Sequence, residues 1–87
     1  MWHLFTQVRI LFYTQLNILI MKERIRKIIE RITERKITND DEPIEMDSID
    51  TMEVIVSLEY EYDIHIDTII KEDLSLNDYV ELVRSMV

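Results

Sequence analysis

The sequence predicts an all-α fold: a small four-helix bundle of three main helices, with a short third helix ahead of the last. Three observations carry this. Apolar residues recur at helical spacing in three separate segments. Glycine is absent and proline occurs once, at Pro43. Turns that need a positive φ therefore have no cheap residue to use, and helices joined by short loops fit better than hairpins. Finally, 47 % of the 87 residues are hydrophobic and none is cysteine. That composition favours a packed core over a disordered tail and excludes both a disulfide framework and a cysteine-based metal site.

The elements follow in order. Met1 to Ile20 is apolar and aromatic with Arg9 as its one formal charge. Gln7, Arg9, Thr14, Gln15 and Asn17 interrupt it too often for a membrane span, and no Ala or Gly exists to form a secretory cleavage site. The preferred reading is an N-terminal extension, residues 1–20, either artificial or from a misassigned initiation codon, ahead of a domain at 21–87 that begins at Met21. The alternative is an added helix or strand packing on the domain, since Leu4, Val8, Leu11 and Phe12 fall near helical spacing. From Met21, Ile25, Ile28, Ile29 and Ile32 form an i, i+3, i+4, i+7 stripe, predicting an amphipathic helix to about Lys36. The polar run Thr38-Asn39-Asp40-Asp41-Glu42-Pro43 reads as a loop.

A second helix is expected from Ser48 or Ile49, with Asp47 and Ser48 both good N-caps and Asp50 and Glu53 near the positive end of its dipole. Its apolar positions, Ile49, Met52, Val54, Ile55, Val56 and Leu58, are too many for one stripe, so contacts on more than one side are expected. Glu59 to Asp63 ends it. Ile64-His65-Ile66 reads as an extended connector, Asp67 can cap a short turn through Lys71, and a last helix runs from Ser75 or Asn77 to Met86 with Tyr79, Val80, Leu82 and Val83 inward.

Charge is segregated. Net charge is −8, yet residues 1–20 carry +1, Lys22 to Lys36 carry +4, and Ile37 to Val87 carry −13. Such an acidic half repels nucleic acid and anionic lipid and steers towards basic protein patches. His65, alone among Ile and acidic neighbours, reads as a surface side chain, not a metal ligand. Asp40-Asp41-Glu42 lacks the glycine-hinged spacing of a calcium loop.

The stretch Asp47-Ser48-Ile49-Asp50, followed by an apolar run, carries the functional reading. DSIDTMEVIVSLEYEYDIHI, MKERIRKIIERITERK and KEDLSLNDYVELV together resemble the acyl carrier protein family over Met21 to Val87. The resemblance implies a carrier-type four-helix bundle that is no enzyme itself. Ser48 would receive a covalent 4'-phosphopantetheine arm from coenzyme A, bringing the thiol that a cysteine-free chain lacks. An anion there is favoured by the unpaired N–H groups of a helix start. The resemblance further implies that Asp47, Asp50, Glu53 and Glu59, with Met52 and Val56 if these are not plain core, meet partners: the phosphopantetheinyl transferase and the enzymes that load, extend and unload cargo in fatty-acid or related biosynthesis. A cytoplasmic monomer without stable membrane insertion is expected. Tyr62 is the better core candidate of Tyr60 and Tyr62, because the family has an aromatic there. Three departures are visible. Ile49 stands where the family commonly has leucine, a conservative change; Glu45 stands where it has glycine, and the loop from Lys36 to Asp47 is shorter than usual. They favour, as runner-up, a specialised carrier of a polyketide or nonribosomal-peptide pathway; an unmodified carrier-like interaction module is a further alternative.

Overall fold

The computed structural model describes residues 2–67, 70 and 72–87, with side chains from Leu16 onward. Among these residues there are three helices and no strand: α1 (Trp2–Thr33), α2 (Ser48–Tyr62) and α3 (Leu76–Arg84). The short helix expected over Asp67 to Lys71 lies partly outside the described residues. No described helix is long and apolar enough to cross a membrane.

The first helix begins far earlier than Met21. It runs unbroken for 32 residues, because nothing between Trp2 and Ile20 is a glycine or proline that would stop it. Among its described side chains, Leu16, Leu19 and Ile20 are exposed, Ile18 and Met21 are partly covered, and Ile25 and Ile29 are fully buried. The helix also ends three residues before Lys36. Glu34 takes a left-handed φ of 57°, while the Thr33 hydroxyl donates to the Ile29 carbonyl at 2.8 Å. The Ile37 amide then donates to Glu30 Oε2 at 2.7 Å, turning the chain away from the helix axis.

The core joins Ile25 and Ile29 of α1, Val54 and Leu58 of α2, Ile66 of the connector, and Leu76, Tyr79, Val80 and Val83 of α3. Ile28, Ile32, Ile55, Tyr62 and Leu82 pack against it half-buried. α1 lies against both other helices, and α2 and α3 meet each other only marginally. α2 packs on α1 and, through Ile55 and Glu59, borders the connector, whereas Ile49, Met52 and Val56 are exposed, so Met52 and Val56 are not core residues. The last helix starts with a capping box. Ser75 Oγ accepts from the Asp78 amide at 3.1 Å, and Asp78 Oδ2 accepts from the Ser75 amide at 3.0 Å.

The loop between α1 and α2 is more than solvated polarity. Asp40 receives Lys22 at 2.7 Å and Arg26 at 2.8 Å, and Arg26 also donates to the Ile37 carbonyl at 3.0 Å. Asn77 of α3 donates to Asp41 at 2.6 Å, and its amide donates to the Asp40 carbonyl at 3.1 Å. The loop thus bridges the first and last helices. The hydrogen bond from Lys22, reinforced by Arg26, outweighs burial and holds the Asp40 carboxyl below its ordinary value of 3.8. The stability it supplies is therefore present above that value and lost as pH falls through the lowered one. Asp40→Asn is expected to lower urea stability at neutral pH by about 1 kcal/mol, and to flatten the loss of stability on acidification below about pH 4.

Candidate functional site around Ser48

The start of α2 is built by Asp47. Its backbone is extended, its Oδ1 accepts from the Asp50 amide at 2.7 Å, and its carbonyl accepts from the Thr51 amide at 3.0 Å and the Thr51 hydroxyl at 2.8 Å. Asp47 is therefore the N-cap. Ser48 is not: it is the first helical residue, exposed, and its hydroxyl makes no hydrogen bond among the described residues. Capping by the neighbour leaves this hydroxyl unengaged at the positive end of the helix, beside N–H groups that have no partner within the helix.

An open groove of about 570 Å³ runs from Ser48 along α2. One wall is the helix face that recurs from Ser48 through Thr51, Met52 and Ile55 to Glu59; the other is the connector, including Ile66 and Ile70. The space exists because α2 and α3 scarcely touch, so the connector between them, and not a helix–helix contact, borders this side of the bundle. Glu59 fixes that segment. Its Oε2 accepts from the Ile66 amide at 3.0 Å and lies 3.1 Å from His65 Nδ1, while His65 Nε2 lies 2.7 Å from Asp67 Oδ1. His65 itself is an exposed surface residue.

The residues expected to form one acidic face are thus spread over several tasks. Asp47 is committed to the cap and Glu59 to the connector. Asp50 is half-buried in the first turn, and Glu53 and Val56 line the seam with α1, away from the Ser48 groove. Met52 stands between, lining both. Thr51, Ile55, Ile66 and Ile70 join the groove from outside the set of sequence-predicted site residues, although the helical spacing 48, 51, 52, 55, 59 already places Thr51 and Ile55 on the face of Ser48.

Comparison with protein-family models, curated proteins and solved structures finds no match. The geometry therefore speaks for itself. A hydroxyl that is free, exposed and set at a helix N-terminus fits a covalently attached phosphodiester, since the anion can meet the unpaired amides without displacing an existing bond. The groove fits an elongated, largely apolar group leading away from that point, with Met46, Met52, Ile55 and Ile66 as apolar contacts. Among the described residues, the groove's histidine, His65, lies at the other end of the helix from Ser48 and is engaged by Glu59 and Asp67.

Proposed function

We propose that this chain is a carrier protein of the acyl-carrier type, bearing phosphopantetheine on Ser48. The single observation that carries the reading is the unengaged Ser48 hydroxyl at the first position of α2, in the sequence Asp47-Ser48-Ile49-Asp50, opening on an apolar-walled groove. When bound, the arm supplies the thiol on which acyl intermediates travel as thioesters. Ser48 holds the phosphate, the first amides of α2 stabilise it, and the groove walls shelter what the arm carries. Asp50 and Glu53, with Asp47 as far as its cap allows, add negative charge that orients basic partner surfaces; exposed pairs of this kind contribute about 0–1 kcal/mol each and act more on encounter than on residence.

A specialised carrier is the second reading, favoured by Glu45 standing where the family that the sequence resembles commonly has glycine and by the short loop before it, whose Glu45 carbonyl accepts from the Arg35 guanidinium at the end of α1. Thioester loading of the modified chain by a standard fatty-acid loading enzyme separates the two readings.

Incubation with coenzyme A and a broad-specificity phosphopantetheinyl transferase is expected to add one phosphopantetheine to the wild type and none to Ser48→Ala, read by intact mass. An unchanged wild-type mass, or modification surviving in Ser48→Ala, refutes the carrier reading and leaves an unmodified interaction module.

A further inference from the structure

The seam between α1 and α2 carries a surface unlike the rest of the molecule. Two shallow hollows of about 450 and 520 Å³ share Arg31, Val56 and Ser57, and so form one continuous groove. Its α1 wall is Arg24, Lys27 and Arg31, which recur at three- and four-residue spacing on one helical face. Its α2 wall is Met52, Val56 and Tyr60, at four-residue spacing and 64 %, 55 % and 90 % exposed. A row of large apolar side chains this open, beside a row of cations, has the makeup of a helix-binding groove.

The charges narrow the occupant. Among the described residues Lys27 and Arg31 form no ion pair, while Arg24 meets Glu61 at 3.1 Å. Glu53 is the other acid on the rim. Two unpaired cations therefore flank the apolar row, although Ile37 to Val87 holds fifteen acidic and two basic residues. A nucleic acid would meet the field of a chain with net charge −8, and it offers no apolar stripe for Met52 and Val56. A short acidic amphipathic helix satisfies both rows at once.

We propose that the α1–α2 groove docks an amphipathic acidic helix of a partner protein, its apolar stripe over Met52, Val56 and Tyr60 and its carboxylates on Lys27 and Arg31. From Met52 to Tyr60 the wall measures about 12 Å along the helix axis, so roughly two turns of the partner are covered. An interface of that size falls below about 1,200 Å², in the class of transient encounters. The proposal does not use Ser48 and shares only Met52 with the Ser48 groove, and the two faces of α2 would select partners of opposite charge.

Helical peptides randomised at their apolar and charged positions, displayed on phage and selected against the whole chain, provide the test. Enrichment of an apolar stripe flanked by Asp and Glu is expected. Binding of one such fluorescent peptide, read by anisotropy, should weaken at least about tenfold in Lys27→Glu/Arg31→Glu and in Val56→Asp, and remain unchanged in Ser48→Ala. Circular dichroism checks that each variant is folded; if either is not, Lys27→Gln/Arg31→Gln and Val56→Ser replace them with the same expectation. A basic consensus, no enrichment, retained affinity in the groove variants, or loss in Ser48→Ala overturns the proposal. So does a concentration-dependent dimer that the charge-reversed variant dissolves, which would make a second copy the occupant.

Discussion

Replacing Leu58 by alanine is expected to remove most of the stability of this chain. Leu58 is fully buried where α2 meets the α1 stripe of Ile25 and Ile29, and it shares the core with Tyr79 and Val83 of α3. Truncation deletes the transfer free energy of the lost carbons and leaves a cavity that three helices cannot close without breaking contacts elsewhere. Such changes cost about 3–5 kcal/mol. A chain of 87 residues is stable by about 4–13 kcal/mol in all, and a small core places it towards the lower end of that range. Urea unfolding followed by circular dichroism should therefore show a midpoint shifted to low denaturant, or no cooperative transition. Ile49→Ala is the matched comparison: the same helix, a similar side chain, but an exposed one. Its expected cost is below about 0.5 kcal/mol. Equal losses in the two variants would mean that the core is not where the structure puts it.

That contrast between Leu58 and Ile49 also marks how far the sequence could be read. Periodicity locates a helix and its apolar residues, and for α1 and α3 it also locates the core, because each has one narrow stripe. In α2 the apolar residues go round most of the helix, and spacing alone does not say which flank a neighbour will cover. Val54 and Leu58 are buried in the core; Ile49, Met52 and Val56 are exposed. The boundaries show the same limit. The start of α2 was legible within a residue because capping is local chemistry, yet Asp47 and Ser48 are both competent caps, and only the backbone decides for Asp47. The absence of glycine argued against positive-φ turns, but Glu34 and Asp63 adopt φ of 57° and 51° at the ends of α1 and α2. At Asp63 local bonds offset the steric cost, since its amide and that of Ile64 both donate to the Glu59 carbonyl at the end of α2.

Of the candidate site, Ser48 and its place at the start of α2 were legible; the groove was not, except for its helical wall. The connector that forms the other wall has no periodicity to read. It is held by Glu59 through the Ile66 amide and His65, pairs separated by seven and six residues. Likewise, Asp40 and Asp41 looked like ordinary loop polarity because their partners, Lys22, Arg26 and Asn77, lie far away in sequence. Distance along the chain, not chemistry, hid these contacts.

The second large effect concerns alkaline pH and Tyr79. This side chain is fully buried in the core of α3, and burial, aided by the negative charge of Asp73, pushes its phenol up to about 12 from 10.0. Burial pushes Tyr62 upward too. Above pH 10 the unfolded chain releases the phenolic proton while the folded chain keeps it. The folded state then binds more protons than the unfolded one, so stability falls as pH rises, fully retained below about 10 and lost through about 12. Two units correspond to roughly 2–3 kcal/mol, a large share of the total for so small a core. Wild-type urea midpoints should accordingly drop steeply between pH 9 and pH 12, with tyrosinate absorbance rising together with unfolding. Tyr79→Phe keeps the ring that packs against the core and removes the proton, so it should retain the greater part of that stability at high pH, while costing about 1 kcal/mol or less at pH 7. If Tyr79→Phe loses stability along the same alkaline profile as the wild type, the ring of Tyr79 does not lie in the core, and the packing of α3 against α1 must be drawn differently.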